Sequence, residues 1–436
     1  MEPIPRRSSL QNGTLALIDT RSFKSGLLTV TTLLPITKKS ACLGPLLLSV
    51  LRRGTEKYPS LTAINHRLDD LYGTGVSIRS TYQGDRLALC FAAELLDETY
   101  LPEPVDLLAG VGELLGQILF HPLLNETGCL SESFVESEKE LQKETIRSIK
   151  NNPRSYASAR LSRILYANEP VGIPLYGTEE QVAAVTPREL TDFWRQFKES
   201  FCPVCFSVGS LPEERVRAVL EENFPFSGAS LPPFYQSEPP LSANTTRRVE
   251  EPMDISQGHL LLGYRAGTFA GRPGSTAAAV MAELLGGPSC SRLFRSVRET
   301  SGLCYSIGAS YHPTRGTVLI HCGLHPDNRA VAEEEILAEV EAIRAGKFSD
   351  EELDTAKKSL LCASRQMRDS ASGLEEFYRN RLLRGSPDTI ADQQARIASL
   401  SREEIVAAAR ALSLDTVYFL RGTLRGGDAG VQNDEV

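Results

Sequence analysis

Long apolar runs, basic stretches and histidines are all scarce in this sequence of 436 residues. No apolar run reaches the roughly 18 residues that a helix needs to cross a bilayer, so we predict no membrane contact. Acidic residues outnumber basic ones by 55 to 47, which gives a net charge of −8. Without a basic stripe, a nucleic-acid partner is not expected. Six histidines leave little material for a histidine-based metal site.

The first residues also lack the features of an export signal. The arginines Arg6 and Arg7 are followed by a polar stretch where a signal peptide would have its apolar core. The nine cysteines are an odd number, and a chain of this size without an export signal is not expected to depend on disulfides. We therefore predict a cytoplasmic protein in which most of the cysteines, such as Cys42, Cys90 and Cys362, are small buried hydrophobic residues.

One pair of cysteines, Cys202 and Cys205, has the spacing of a metal or redox site. A four-ligand zinc site would need a second such pair, which the sequence lacks. A redox pair normally opens a helix, whereas residues 201–208 have the pattern of a strand. A structural role for both cysteines is therefore favoured.

The predicted elements fall into two series with a break between them. Residues 225–244 are rich in proline and serine and show little periodicity, which is typical of a linker. We therefore predict an N-terminal half over residues 1–224 and a C-terminal half over residues 245–425. The last residues, 426–436, are predicted to be a disordered tail.

The order of elements is similar in the two halves. A helix with an N-cap residue begins at Thr186 and precedes a strand near Cys202, and another begins at Ser401 and precedes a strand near Thr416. Two related halves are therefore expected rather than two unrelated domains. Because the strands come in hairpins with helices clustered between them, we predict an α+β fold, each half an antiparallel sheet with helices packed on one face.

Several local stretches together carry a resemblance to a known family. They are Arg53-Gly54-Thr55, residues 68–73, the predicted helix 136–147, residues 174–178 and the long stretch 285–305. The last is the most specific and reads LGGPSCSRLFRSVRETSGLCY. On these stretches the sequence resembles the insulinase, pitrilysin and mitochondrial processing peptidase family, the inverted zincins, over nearly its whole length.

The resemblance implies a zinc site in active members, built from His-x-x-Glu-His on the first helix, shortly before a Gly-Thr pair. The histidines bind zinc, and the glutamate is the general base for the zinc-bound water. Counting back from Gly54 places Pro45, Leu48 and Ser49 at these three positions. Proline has no donor atom for a metal, leucine cannot act as a base, and serine is a poor zinc ligand.

No other histidines replace the missing ones in the sequence. In the family a third zinc ligand, a glutamate, comes from a later helix. It falls here on Glu136, or one turn later on Glu140, where it would be vestigial. His321 and His325 are four residues apart in a predicted strand, which separates them by about 13 Å, too far for one ion. The resemblance therefore implies a non-catalytic, bacterial member of the family that binds no metal itself.

Active members also carry an arginine and a tyrosine seven residues apart in the C-terminal half, and Arg298 and Tyr305 match this pair. The resemblance implies that the tyrosine donates a hydrogen bond to the developing oxyanion. The arginine would bind a substrate carbonyl or hold the tyrosine in place. The alternative stays open that both residues serve only packing, at the end of a helix and the start of a strand.

The resemblance thus implies a non-catalytic subunit of a two-chain zinc peptidase, which supplies Arg298 and Tyr305 in trans together with part of a peptide chamber. The expected partner is a homologue that keeps His-x-x-Glu-His and binds the zinc, or a second copy of this chain. Expected substrates are extended peptides. The alternative function is a structural or peptide-binding family member with no role in proteolysis. An independent enzyme is the least favoured hypothesis, since no Ser-His-Asp pattern is present.

Overall fold

The structure is a computed structural model, and it describes four segments of the chain: residues 4–10, 13–103, 105–225 and 237–424. Residues 226–236, which make up most of the predicted linker, and the predicted tail 426–436 lie outside the described residues. Within the four segments, no helix combines the length and the apolar character that crossing a membrane requires.

The described residues form fourteen α-helices. They are α1 (Lys38–Leu51), α2 (Leu61–Asp70), α3 (Leu107–Phe120), α4 (Glu132–Ser148), α5 (Pro153–Leu165), α6 (Glu179–Ala184), α7 (Pro187–Glu199), α8 (Glu213–Asn223), α9 (Ser275–Gly286), α10 (Arg329–Arg344), α11 (Asp350–Gln366), α12 (Ala371–Leu383), α13 (Ile390–Ser399) and α14 (Arg402–Arg410). The helix starts predicted at Thr186 and Ser401 are confirmed, because each side chain accepts a hydrogen bond from a backbone N–H in the first turn of α7 or α14.

The first of two compact units takes its described residues from Met1–Arg147, Ile173–Gln236 and Gln366–Thr389. Its sheet consists of β1 (Arg6–Leu10), β2 (Gly13–Asp19), β3 (Ser25–Pro35), β4 (Gly75–Gln83), β5 (Arg86–Leu96) and β6 (Val204–Gly209). The strands lie in the order β1-β2-β6-β3-β5-β4. Neighbouring strands are antiparallel except β2 and β6, which are parallel.

The second unit takes its described residues from Ser148–Gly172, Ser237–Arg365 and Ile390–Val436. Its sheet consists of β7 (Arg247–Met253), β8 (Gly258–Arg265), β9 (Cys304–His312), β10 (Thr317–Leu324) and β11 (Ser413–Gly422). The order is β7-β11-β8-β10-β9, and only β7 and β11 are parallel.

The two sheets have the same topology once β1 is set aside. In each, the last strand of the half lies between the two strands that open it, parallel to one and antiparallel to the other. The predicted α+β class with two related halves is therefore confirmed. Each sheet contains one parallel pair in addition to the antiparallel pairs.

Each half of the sequence contributes one helix to the unit that is formed mainly by the other half. Helix α5 follows α4 in the first half, yet it belongs to the second unit, where it packs on β8 and β11. Helix α12 follows α11 in the second half, yet it belongs to the first unit, where it packs on β3 and β6. The compact units therefore differ from the predicted halves, 1–224 and 245–425, by this exchange.

Helix α12 lies on the opposite face of the first sheet from α1. Side chains alternate between the two faces of a strand, so Leu87 and Cys90 of β5 point in opposite directions. Helix α1 packs on the Leu87 side, where a Cβ added to Gly44 would be 2.8 Å from the Leu87 Cδ2 atom. The Arg379 charge of α12 acts on the thiol of Cys90. Helices thus cover both faces of this sheet.

An ion pair within α12 is buried against the first sheet. Glu375 and Arg379 are each 5% exposed, and Arg379 Nε donates to Glu375 Oε1 at 2.7 Å. Thr29 donates to the same carboxylate at 3.0 Å, and Arg379 Nη1 donates to the Gln83 side chain at 2.6 Å. Because buried charges are tolerated only when they are paired and hydrogen-bonded, these contacts fix the position of α12.

Helix α5 lies on the second sheet in an equivalent way. Ala157 and Leu161 pack with Leu261, Tyr418 and Leu420 in one buried cluster. On the same strands the alternating side chains, such as Leu260 and Phe419, point to the other face of the sheet. There they pack in a separate buried cluster with helices α9, α10 and α14. The exchanged helix therefore covers the face opposite to the main helical layer.

Most of the cysteines are buried, as predicted, and two, Cys290 and Cys362, are exposed. Cys42, Cys90, Cys202 and Cys205 are buried. The prediction for Cys362 was wrong, since this residue is exposed on α11. Its apolar neighbours in the sequence, Leu360 and Leu361, pack toward the core, and the helical repeat turns Cys362 away from them.

Replacing Arg379 with methionine leaves the Glu375 carboxylate buried without its partner, so we expect the free energy of unfolding to fall by about 3–5 kcal/mol. Lys143→Met is the matched control, because it removes the partner of Glu140 at the surface, where ion pairs contribute little. Denaturant unfolding followed by circular dichroism measures both variants. Equal losses for the two would contradict the role of the buried pair.

Candidate functional site

The helix α1, which carries the three positions predicted to have lost their zinc chemistry, begins with a capping box. Thr37 accepts a hydrogen bond from the Ser40 backbone N–H, and the Ser40 side chain accepts one from the Thr37 backbone. Pro45 lies inside the helix. Proline has no N–H to donate to the carbonyl four residues earlier, so the Ala41 carbonyl needs another donor.

Tyr176 supplies that donor from a neighbouring loop. Its backbone N–H donates to the Ala41 carbonyl at 3.0 Å. Tyr176 has a φ of 79°, a left-handed conformation that is uncommon for a bulky residue and needs support from its surroundings. Gln142 of α4 gives that support, since its side-chain amide donates to the carbonyls of Cys42 and Tyr176 at 3.0 and 2.9 Å. The proline of α1 is thus compensated by a specific backbone arrangement.

The other two positions of the degenerate site differ in their environment. Leu48 is buried, with 4% of its surface exposed, whereas Ser49 is exposed. A charged carboxylate in place of Leu48 would be costly to bury. Among the described residues, no group of three or more His, Cys, Asp and Glu side chains is arranged to hold a metal ion.

Helix α4 places Glu136 and Glu140 on its exposed side. Each glutamate pairs with a lysine three residues later, Glu136 with Lys139 at 2.9 Å and Glu140 with Lys143 at 2.5 Å. Their carboxylates are therefore engaged in local surface pairs. A vestigial role of Glu136 stays a prediction.

Helix α4 also carries a buried carboxylate, that of Glu138, which was not predicted from the sequence. Glu138 Oε1 lies 3.5 Å from Arg53 Nε. Burial raises the pKa of Glu138, and the charges of Arg53 and Arg52 act in the opposite direction. The spacing of Val135, Glu138 and Gln142 in the sequence follows a helical stripe, which was the available signal. An arginine is therefore the cation beside this carboxylate.

In the second unit, Arg298 lies in a π-helix, Phe294–Thr300. The Ser301 N–H donates to the carbonyl of Ser296, five residues earlier, at 3.0 Å. π-Helical segments are rare in proteins as a whole, and those that occur are frequently found at functional sites. Arg298 is exposed, and its guanidinium carbon lies 4.7 Å from the centre of the Phe294 ring.

Tyr305 lies in a β-bulge at the start of the edge strand β9. Cys304 pairs with Leu324 and Ser306 pairs with Gly323, so Tyr305 is the extra residue. Its side chain is 55% exposed. Neither the Tyr305 hydroxyl nor the Arg298 guanidinium makes a hydrogen bond with any residue that the structure describes.

The positive charge of Arg298 affects the thiol of Cys304, the residue that precedes Tyr305. A hydrogen bond from the Cys322 thiol lowers the pKa of Cys304, burial acts against this shift, and the Arg298 charge lowers the pKa further. The structure thus places both Arg298 and Tyr305 near the start of β9.

The histidines that were considered as a metal pair have separate environments. His321 lies in β10, and its Nε2 atom is 2.7 Å from Arg154 Nη2. His325 lies beyond the end of β10 and accepts a hydrogen bond from the Asp327 N–H at 3.4 Å. The two are not brought to one site.

Comparisons with known proteins agree with this description. Residues 184–360 match the family model of the Peptidase M16 inactive domain. The chain is 28% identical over 410 residues to the probable inactive metalloprotease YmfF of Bacillus subtilis, covering 94% of this chain and 96% of the relative. A conserved protein from Enterococcus faecalis has a crystal structure that matches with a TM-score of 0.89 at 25% identity, covering 96% of this chain and 99% of that one.

A second solved structure shares the fold. The peptidase M16 inactive domain from Pseudomonas fluorescens matches with a TM-score of 0.79 at 18% identity, covering 97% of this chain and 99% of that one. The side chains at Pro45, Leu48 and Ser49 fit an inactive relative, because none of them can perform the zinc chemistry. The chain is therefore similar to the M16 peptidases, the family of insulinase, pitrilysin and the processing peptidases, and in particular to inactive members of that family.

Proposed function

We propose that this chain is the non-catalytic subunit of a two-chain zinc peptidase and supplies Arg298 and Tyr305 to a site whose zinc is bound by a partner. The observation that carries the proposal is a contrast between the two candidate sites. In α1 the three positions are occupied by residues without zinc chemistry, and Pro45 and Leu48 are built into the surrounding structure. Arg298 and Tyr305, in contrast, are exposed and retain hydrogen-bonding groups that no described residue occupies.

The local backbone supports a functional reading of this pair. A bulge and a π-helix each interrupt regular structure and redirect side chains, and here one carries Tyr305 and the other Arg298. Contact with the Phe294 ring restricts the Arg298 guanidinium without using its N–H donors. Both side chains are thereby positioned at the surface with their donors available.

Each side chain has a defined role in the proposed site. When water adds to a peptide carbonyl, negative charge develops on the oxygen, and the Tyr305 hydroxyl donates a hydrogen bond to it. The Arg298 guanidinium donates to a substrate carbonyl through its planar set of N–H groups. Activation of the water belongs to the partner, a homologue that keeps His-x-x-Glu-His, and no metal or other cofactor is assigned to this chain.

The proposal also covers substrate and location. Extended peptides are the proposed substrates, because an oxyanion donor and a carbonyl-binding arginine act on peptide bonds without reading side chains. We place the protein in the cytoplasm. A second copy of this chain is the alternative partner, and such a pair would lack the zinc ligands.

A co-expression experiment tests the pairing and the role of Tyr305. The chain is purified with and without the His-x-x-Glu-His homologue from the same genome, and cleavage of quenched fluorescent peptides is followed with zinc. We expect cleavage only by the mixture. Tyr305→Phe should lower kcat/KM by roughly 10²–10³-fold because one oxyanion donor is lost, and Arg298→Ala should also lower it. Tyr100→Phe, at another exposed tyrosine, is the matched control and should have no effect.

Other outcomes of that experiment separate the alternatives. A mixture that cleaves equally well with Tyr305→Phe and Arg298→Ala would make the pair a remnant. A chain that neither associates with the homologue nor supports cleavage would favour a structural or peptide-binding role. Zinc-dependent cleavage by this chain alone would contradict the assignment of an inactive homologue.

Restoring the glutamate of the zinc helix should damage the fold. Leu48→Glu places a carboxylate at a buried position, and we expect the free energy of unfolding to fall by at least about 2 kcal/mol. Because burial raises the pKa of the new carboxyl group above its unfolded value, the loss should be larger at pH 8 than at pH 5. Ser49→Glu, at the exposed neighbour, is the control and should have little effect. If denaturant unfolding gave the same free energy of unfolding for Leu48→Glu as for the unmodified protein, position 48 would still be able to accommodate a general base.

A further inference from the structure

A polar surface adjoins Tyr305 on the second sheet. Strand register places His259 of β8 opposite Gly323 of β10, and Gly323 opposite Ser306 of β9. His321 lies two residues before Gly323 on the same strand, and therefore on the same face. This is the face on which α5 packs, since His321 contacts Arg154 of that helix.

Glycines in the neighbouring strands bring these side chains close to the sheet. A Cβ added to Gly323 would be 2.8 Å from the Ser306 Oγ atom and 3.9 Å from the His259 Nδ1 atom. A Cβ added to Gly308 would be 2.9 Å from the His321 Cε1 atom. Because Gly308 and Gly323 have no side chains, the polar side chains of Ser306, His259 and His321 can lie directly over the backbone of the sheet.

Arg154 forms one side of this surface and determines the state of His321. Its Nη2 atom lies 2.7 Å from His321 Nε2. A guanidinium can only donate, so Nε2 accepts and the ring proton lies on Nδ1. Burial, the Arg154 charge and His259 lower the pKa of His321 to about 4, and burial and Arg154 also lower that of His259. Both imidazoles are therefore neutral near pH 7, and each carries one N–H donor.

Among Arg154, His259, His321 and Ser306, only Arg154 carries a positive charge, and each of the other three has one N–H or O–H donor. Glu251 lies on the same face, but its carboxylate is already bound by Arg160 at 3.0 Å and by Tyr418 at 3.0 Å. Arg154 is exposed and has N–H groups beyond the one directed at His321. A ligand that complements this surface carries negative charge and hydrogen-bond acceptors, and a carboxylate fits that description.

We propose that Arg154, His259, His321 and Ser306 form a subsite for a carboxylate of a bound peptide, next to the Arg298 and Tyr305 pair. The choice of a peptide as the ligand rests on the proposed function. The subsite adds to that function a preference for peptides that carry a negative charge. Ser306 directly follows Tyr305, and an extended peptide advances about 3.3–3.6 Å per residue. The carboxylate would therefore be a few residues from the carbonyl that Tyr305 contacts. Either the peptide C-terminus or an acidic side chain supplies it.

Peptide binding by the full chain without a partner tests the subsite. The probe is an unstructured Gly/Ser peptide, labelled at its N-terminus, with one internal glutamate and a free C-terminus. Fluorescence anisotropy gives its Kd, and the same is done for a C-terminal amide and for a version with glutamine in place of glutamate. We expect one of these two neutralised peptides to bind roughly tenfold or more weakly, which identifies the source of the carboxylate.

Substitutions in the protein connect that loss to the subsite. Arg154→Gln should weaken the charged peptide by a similar factor and should leave the neutralised peptide unchanged, because the two changes remove the same contact. Arg163→Gln, at an exposed arginine of the same helix, is the control and should not alter Kd. His321→Asn, with its fold checked by thermal unfolding, should also weaken binding of the charged peptide.

The outcomes for this inference are separate from those for the proposed function. Equal affinity for charged and neutralised peptides, or equal effects of Arg154→Gln and Arg163→Gln, would overturn the carboxylate subsite. If no homologue supports cleavage but binding still depends on Arg154 and on the carboxylate, the subsite stands while the peptidase role falls.

Discussion

The exchange of α5 and α12 is the constraint on which both units depend. Each helix covers a sheet face opposite the main helical layer. Each is also fixed by specific contacts, the buried pair of Glu375 and Arg379 in one case and the apolar cluster around Leu161 in the other. Because these helices come from the other half of the sequence, neither sheet can complete its core from one half alone. Both sheets therefore need contacts between residues far apart in the chain, which favours slow and cooperative folding.

Against that scaffold the two candidate sites have diverged in opposite directions. Around Pro45 the Tyr176 backbone N–H satisfies the Ala41 carbonyl, which the proline leaves without a helical donor, and the Gln142 amide supports the Tyr176 backbone. The buried α4 carboxylate of Glu138 is paired with Arg53. At the start of β9 the irregular backbone keeps Arg298 and Tyr305 at the surface. The first region is internally satisfied, and the second is left with donors for something else.

The sequence was informative wherever the signal is local. N-cap residues predicted the helices that begin after Thr186 and Ser401. The sequence pattern did not predict α12, the parallel strand in each sheet or the approach of His259 to His321. These features depend on which segments pair across long separations, and periodicity within a window carries no information about that. The π-helix at Arg298 was predicted as an ordinary helix, because one extra residue per turn leaves almost no mark on composition.

The helix exchange also bears on how such a chain could have arisen. Two copies of a half-length protein that traded one helix each would form a domain-swapped dimer with a closed two-fold symmetry. Fusion of the two genes would convert that exchange between subunits into an exchange within one chain, and the predicted linker would mark the point of fusion. Once joined, the two copies are free to diverge from each other. The reciprocal positions of α5 and α12 are then a record of a dimer that preceded the single polypeptide.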